Sequence, residues 1–395
     1  MTSKKLPVIV VGGGLGGIST ALALGRQGQA VSLLEQSAEI APIGYGVQIG
    51  PNVLPMLDRL GVGDAVREAA YLPEKLLLLN GNCGSTIFDI PLTGAAFEAR
   101  FEAPYIAIHR VDLHEILLRA VRQLPCVDLN QATTVTGYSQ EAGEVQVHAE
   151  GGKAISGSAL VAADGLRSRL RAQLHPNDTW RDTGYVAHRS IVPAEDAPPS
   201  MRDRRGVTML TGDGYHVIYY PLRGGSEINI VGVFEVGSVA EPTNDQYEQH
   251  IAALTAGAVR EVHDVISMLS MKRRWSIADR QPVRRWHEGR MTMLGDAAHA
   301  TLQSLAQGAG MAIEDAVVLS ELMAAYPDDP AAAFAQFERR RFLRTARVVL
   351  ESRALWPLYH AAGIDAEVRD MQWRERSIDD YYRCLSWLWN PKEEK

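Results

Sequence analysis

Gly12, Gly14 and Gly17 follow directly on the β-branched run Val8-Ile9-Val10-Val11 and open the helical stretch Ile18 to Arg26, which Gly28 stops. GxGxxG between a strand and a helix is suited to a pyrophosphate. Gly12 makes the tight turn, Gly14 lets backbone N–H groups approach the phosphates, and Gly17 lets the helix lie on the sheet; Leu15 sits inside the loop. A second strand is predicted over Ala30 to Leu34, and Glu35 ends it, 18 residues after Gly17. A carboxylate there can accept hydrogen bonds from both ribose hydroxyls and repels a 2′-phosphate. The pattern implies a dinucleotide, NAD or FAD.

Two other places deliver acids and glycines to a strand end. Met291 to Leu294 is an apolar run that breaks at Gly295-Asp296, passes through small residues, and resumes helical periodicity at Met311, with Gly308 and Gly310 in the connection. Small residues there allow close backbone approach to a ligand; a strand, loop and helix with no ligand is the plainer alternative. Leu160 to Ala163 reads as a buried strand closed by Asp164-Gly165, at the carboxyl end where parallel sheets bind ligands. The glycine-broken stretch Ile43-Gly44-Tyr45-Gly46-Val47-Gln48-Ile49 suits a segment lying along an extended cofactor, which leans toward FAD, or else an ordinary crossover. Arg110, between the strand predicted over Pro104 to Ile108 and a helical pattern, is a cation placed for a phosphate or ribityl chain, or simply a surface arginine.

From about Trp180 to Trp275 the texture changes to alternating strands, with hairpin signals at Gly212-Asp213-Gly214 and Arg223-Gly224-Gly225-Ser226. This predicts an antiparallel sheet inserted into a discontinuous nucleotide-binding unit. On the strand Tyr215 to Pro221, His216, Ile218 and Tyr220 share one face, with His216 and Tyr220 about 13 Å apart at Cα. They can flank a small ring from both ends, or stand on a half-exposed strand in solvent.

These elements belong to a chain of 395 residues, 46% hydrophobic and 22% charged, enough for two joined units. A net charge of −7 without a basic block excludes nucleic acid as an expected partner. Cys83, Cys126 and Cys384 match neither a disulfide framework nor a metal site. The apolar run after Lys4 and Lys5 is too short for a signal peptide, and no stretch is long enough for a membrane span, so a cytoplasmic chain is expected. Ala331 to Leu350 reads as a helix with Arg339, Arg340 and Arg341 on a solvated face. Four of seven tryptophans lie from Trp356 onward, which suits a docked tail at a homodimer contact or a core cap equally.

GxGxxG with its acid, Asp164-Gly165-Leu166-Arg167-Ser168 ending in Arg171, and Gly295-Asp296 through Asp315-Ala316 together resemble the three motifs of single-component (group A) FAD-dependent aromatic hydroxylases, in that family's order across about 300 residues. The resemblance implies an α/β fold: a Rossmann-like FAD-binding domain (1–75, 100–178, 276–330), an inserted antiparallel-sheet substrate domain of the p-hydroxybenzoate-hydroxylase kind (76–99, 179–275), and a C-terminal helical region (331–395). It implies Asp164 at FAD and NAD(P)H, Asp296 on the ribityl chain, and Gln307-Gly308-Ala309 beside the flavin ring. The family's third motif reads GDAAHxxxPxxGQG; here Gln303 replaces the proline and Ala306 the first glycine of GQG. Gln303, with His216, Tyr220 and Tyr105, and the ending Asp380-Tyr381-Tyr382 through Trp387-Leu388-Trp389, is similar to the 3-hydroxybenzoate 6-hydroxylase branch. That branch implies a small aromatic acid, NADH and O2 as reactants and a flavin C4a-hydroperoxide as oxidant. His216 would be the base, titrating near working pH, Gln303 would hold the phenolate, and Tyr105 and Tyr220 would place the carboxylate. Para attack on 3-hydroxybenzoate would give gentisate. Salicylate 1-hydroxylation to catechol and CO2, an FAD-dependent oxidoreductase or epoxidase of a larger apolar compound, and a non-catalytic FAD-binding protein remain the alternatives.

Overall fold

Val8–Val11 (β1) is buried at every position, and its β-branched side chains suit a strand covered on both faces. It lies inside a six-stranded sheet with Val31–Leu34 (β2), Val127–Asn130 (β7), Ala159–Ala162 (β11), His287–Glu288 (β17) and Met291–Met293 (β18). The order is β17-β18-β11-β1-β2-β7, parallel except for β17. The carboxyl ends of β1, β11 and β18 therefore come together, and with them Gly12, Ala163 and Leu294. The computed structural model describes residues 6–39, 44–141, 143–236 and 243–390. Lys4, Lys5 and Ile43 lie outside the described residues.

A seven-stranded sheet forms the other layer. Its order is Trp275–Arg280 (β16), Trp180–Pro193 (β12), Glu227–Glu235 (β15), Tyr215–Leu222 (β14), Val207–Gly212 (β13), Lys75–Asn80 (β4) and Thr86–Pro91 (β5). The expected antiparallel pairing holds throughout except at β13 and β4, which are parallel. Two helices, Asn244–Leu254 and Arg260–Ser267, also lie in the stretch read from sequence as strands. Tyr215, Val217 and Tyr219 face these helices and pack with Tyr247, Ile251, Val262 and Val265. The even-numbered residues of β14 face the nucleotide-binding layer, so this strand is buried on both sides rather than half exposed. Gly46–Ile49 (β3) and Ile106–His109 (β6) pair between the layers, while Val135–Glu141 (β8), Glu144–Ala149 (β9) and Ala154–Gly157 (β10) make a separate meander.

The C-terminal helices are Pro330–Tyr359, Gly363–Arg374 and Ile378–Trp389. The first is nine residues longer than the sequence pattern ended it, and its arginines divide. Arg339 and Arg340 are exposed, but Arg341 is buried, donating to Asp315 at 2.6 Å and lying 2.7 Å from Glu314. A cation at that position is therefore structural rather than solvated. Trp389 packs on Phe101 and Tyr105 with ring centroids 5.2 and 5.3 Å apart, and Arg344 donates to the carbonyls of Trp387 and Leu388. The aromatic tail is thus docked as a core cap. Among the described residues no helix is long and apolar enough to cross a membrane.

Candidate active site

Where the layers meet they enclose a cavity of about 940 Å³. At one end is the glycine turn. Gly12 has φ +110°, and a Cβ there would stand 2.3 Å from the Ala163 carbonyl oxygen; one on Gly17 would stand 1.8 Å from the Gly12 oxygen. Both positions exclude any side chain, and they close strand onto helix. Gly14 differs: a Cβ there would meet nothing within 4 Å, because this residue borders the cavity. That open cradle of backbone at a helix start fits a cofactor pyrophosphate. Glu35 holds the turn, accepting from Gly13 N–H at 2.6 Å and Ser37 N–H at 2.9 Å. The carboxylate expected at a ribose is thus engaged by backbone N–H groups.

At β18 the chain turns through Gly295 at φ +58° into the short helix Asp296–His299. Asp315 fixes this turn, accepting from Gly295 N–H at 3.0 Å and pairing with His299 at 2.5 Å and Arg341 at 2.6 Å. Burial alone would raise the Asp315 carboxyl; His299 and Arg341 hold it at about 2. Asp296 is left facing the cavity. The next helix starts at Gly308, earlier than the periodicity at Met311 indicated, so its free N–H groups adjoin Gln307, Gly308 and Ala309 in the cavity wall. Gln307 is held by Asn52, whose amide donates to Gln307 and to Glu314, and Arg341 and Arg344 neutralise Glu314. Despite burial, these arginines keep the Glu314 carboxyl at about 2. Ala306, at the glycine position of the family pattern, adopts the left-handed conformation with φ +52°. The backbone there needs a positive φ, which explains the pattern's glycine and strains the alanine.

The other end is a sheet face. Cross-strand register places Ala187, Val233 and His216 in one row, and Arg189, Val231 and Ile218 in the next. The third row carries Tyr220 beside Asn229, whose amide oxygen accepts from Gly46 N–H at 2.6 Å. Gly46 has no side chain for a reason: a Cβ would lie 2.6 Å from the Tyr220 ring. Tyr105 donates its hydroxyl proton to Gln48 at 2.5 Å, and Gln48 is also bonded to the Tyr220 hydroxyl. With the Gln48 oxygen occupied by Tyr105, its N–H₂ donates to Tyr220, whose own proton stays available to the cavity. Burial raises Tyr220 to about 12, against the lowering effect of Arg189, so this hydroxyl is a donor at neutral pH.

Arg189 donates to the Gln303 amide oxygen at 2.8 Å. It forms no ion pair among the described residues, although burial, reinforced by Arg110, pushes its guanidinium below the ordinary range. A desolvated guanidinium with donors to spare calls for an anion. Across the sheet face, His216 is bonded through Nδ1 to Nε2 of His360 at 2.8 Å. The expectation that His216 titrates near working pH fails. Burial, with His360 beside it, drives its imidazole well below 6.5, so it meets a ligand as a neutral ring.

The cavity wall unites Gly14, Leu15, Gln48, Tyr105, Arg110 and His216 with Tyr220, Asp296, Gln303, Gln307, Gly308 and Ala309. Gly12, Gly17, Glu35 and Asp164 are not part of that wall. Asp164 accepts from the backbone N–H groups of Arg169 and Leu170 in the first turn of the helix Arg169–Leu174, whose N-cap is Ser168, while its Oδ1 is buried without a partner among the described residues. Sequence reasoning missed Arg189 and His360. A charged residue amid the apolar alternation Tyr185 to Val192 was a usable signal for Arg189; His360, at a helix end beyond Pro357, had none.

Parallel sheet, glycine cradle and the cavity between the two layers define a dinucleotide-binding enzyme. The chain matches the family model described as FAD binding domain over residues 5–352 and belongs to that family. It is 39% identical to 3-hydroxybenzoate 6-hydroxylase of Polaromonas naphthalenivorans (strain CJ2), covering 98% of this chain and 96% of the relative. It is 38% identical to the protein of the same name from Klebsiella oxytoca, covering 99% and 98%. Among solved structures, Klebsiella pneumoniae HpxO complexed with FAD and uric acid superposes with a TM-score of 0.86 at 25% identity over 96% of each chain. A salicylate hydroxylase substrate complex shares the fold, with a TM-score of 0.79 at 24% identity over 98% and 96%. The protein is an FAD-dependent aromatic monooxygenase.

Proposed function

We propose that this monooxygenase hydroxylates 3-hydroxybenzoate para to its hydroxyl, giving 2,5-dihydroxybenzoate (gentisate), with NADH and O2 as co-substrates. The observation that carries the reading is Arg189: a guanidinium in the cavity wall with no ion pair among the described residues, beside Gln303 and Tyr220, with the neutral His216 on the same sheet face. The names of the relatives agree with it.

FAD, when bound, would supply the redox chemistry that links NADH to O2 and the electrophilic oxygen. The protein's task is to orient the ring and manage one proton. The carboxylate goes to Arg189 and the Tyr220 hydroxyl, so Tyr105, committed to Gln48, acts by steering Tyr220 rather than by touching substrate. Gln303, clamped by Arg189, faces the ring, and His216 accepts the hydroxyl proton as the ring becomes a nucleophile. Asp296 and the Gln307-Gly308-Ala309 turn would hold the cofactor, and Arg110 would offer it a cation. Ile218, Val231 and Leu302 keep the ring's surroundings dry. The same reading assigns the six-stranded sheet to the FAD unit and the seven-stranded sheet to the substrate unit. The three cysteines are free, in keeping with the cytoplasm.

The decisive experiment is a screen of hydroxybenzoates for ligand-stimulated NADH oxidation, with products identified. Gentisate from 3-hydroxybenzoate is expected. Catechol and CO2 from salicylate as the preferred turnover would replace this reading with the rival one.

A further inference from the structure

His216 has two ring nitrogens, and the structure decides which of them carries the proton. Its Nδ1 points at Nε2 of His360, 2.8 Å away. The other nitrogen of His360, Nδ1, lies 2.8 Å from the carbonyl oxygen of Trp356. A carbonyl oxygen only accepts, so His360 Nδ1 carries a hydrogen and, in the neutral ring, His360 Nε2 is a bare acceptor. His216 must then donate from Nδ1. Its Nε2 is left with a lone pair and no protein partner among the described residues, and His216 lines the cavity.

The Trp356 carbonyl is free for this contact because of where the helix ends. In a continuing α-helix it would accept from the N–H of residue 360. The backbone N–H of His360 instead bonds the Pro357 carbonyl at 3.3 Å, and the helix Pro330–Tyr359 stops. The Trp356 oxygen is one of the orphan carbonyls of that terminus, and the His360 side chain satisfies it. Helix carbonyl ends favour a cation. The ring is held from the other side by Tyr185 of β12, stacked at 4.3 Å between centroids. The Trp356 ring lies edge-on at 4.7 Å, and Arg369, paired with Asp370, is the charged group that acts on His360, while Tyr359 packs on His216 instead.

We propose that His360 is a positioning residue for the hydroxylation: it locks His216 in the tautomer whose bare Nε2 faces the substrate hydroxyl, and it shares the proton that His216 takes up. The inference rests on the reading of His216 as the group that meets the ring hydroxyl. In the step itself the substrate O–H bond breaks, and an N–H bond forms at His216 Nε2. The positive charge so created is spread through the Nδ1–H···Nε2 bond to His360, at the carbonyl end of a 30-residue helix. Neither imidazole carries a second proton at rest: burial drives His216 well below its ordinary value and holds His360 at about 4, with the Trp356 carbonyl raising it and Arg369 lowering it. The pair therefore acts as a base only while the ring is giving up charge to the incoming oxygen.

The test uses two amides of different length in the holoenzyme. In H360N the amide reaches the Nδ1 position, so it can still bond the Trp356 carbonyl, but it offers His216 no acceptor. In H360Q the amide oxygen reaches the Nε2 position and restores that acceptor. Product-forming kcat is expected to fall about tenfold or more in H360N, a fraction of what a general base contributes, with KM and FAD content little changed. H360Q is expected to recover to within about threefold of wild type. Equal activity of H360N and H360Q, or an effect confined to KM, overturns the proposal. His216→Ala is the control: full coupled hydroxylation in that variant overturns the role of His216 as the base, and this inference with it, while leaving the proposed reaction to the product screen. Loss in His216→Ala with H360N unaffected overturns the inference alone.

Discussion

On the cofactor side of the cavity the two glycine turns are fixed by residues close in sequence, Gly13 with Glu35, 22 residues apart, and Gly295 with Asp315, 20 apart, although Asn52 reaches Gln307 across 255. On the substrate side Arg189 meets Gln303 across 114 residues, and His216 meets His360 across 144. The cofactor wall is mostly backbone, shaped by glycines that only one conformation and one spacing permit. The substrate wall is made of side chains that cross-strand register and a helix end bring into line. A pyrophosphate needs N–H groups, which every residue has; a substituted ring needs particular side chains at particular separations. Change on the first side should therefore be nearly all-or-none, and change on the second graded.

The largest effects should come from the glycine turn. Gly17→Ala would force a Cβ against the Gly12 carbonyl, and loss of folded holoprotein is expected, read as absent flavin absorbance after purification. Gly14→Val sharpens the point. Its Cβ meets nothing in the protein, so the melting temperature of the FAD-free protein should hold while FAD affinity collapses. A Gly14→Val protein that keeps its flavin would break the assignment of that space to the pyrophosphate.

Next in size is the buried ionic network beneath the flavin-side turn. Asp315→Asn leaves Arg341 and His299 without their shared carboxylate, at a cost of about 3–5 kcal/mol in unfolding free energy by denaturant titration. The same network predicts an acid limit. Asp315 and Glu314 titrate at about 2 in the folded chain, below the roughly 4 of exposed carboxyls, so they bind protons more readily when unfolded. Their stabilisation is complete above pH about 4 and is lost as pH falls toward 2. Flavin release followed by fluorescence should track that window and weaken in Asp315→Asn, where only the Glu314 share remains.

On the substrate side, Arg189→Met should raise KM for 3-hydroxybenzoate about a hundredfold through loss of a desolvated charge contact, with FAD binding intact. The uncharged 3-hydroxybenzamide should lose far less. Equal losses for both ligands would show that Arg189 does not receive the carboxylate. Smallest is Ala306→Gly, which relieves a left-handed alanine and should stabilise by about 1 kcal/mol, seen as a modest rise in melting temperature.

The same contrast explains what could be read in advance. The glycine turn, the Gly295-Asp296 break and the alternation of β14 were legible because each is a local pattern with a local cause. Packing informed two further readings: the aromatic tail caps the core over Phe101 and Tyr105, and the expected solvated face holds for Arg339 and Arg340 but not for Arg341, because Glu314 and Asp315 lie beside it. His216 was recognised, but its basicity was misjudged, since the value of 6.5 belongs to a solvated imidazole and its neighbour His360 arrives from 144 residues away. Arg189 was visible only as an oddity in a strand, because nothing local says that its nearest companion will be an amide rather than a carboxylate.

The helix Pro330–Tyr359 carries Arg341 near its middle and hands over to His360 at its end, about 28 Å farther along. It thereby sets a fixed interval between the anchorage of the flavin-side turn and the residue behind His216. One inserted residue between them would turn the far end by about 100° and detach one anchorage from the other. Lengths in this helix are consequently frozen, while the faces of β12 and β14 can be altered one side chain at a time. A lineage built on this frame would change the ring it accepts by substitution, and would tolerate gain or loss of residues only in its connecting loops.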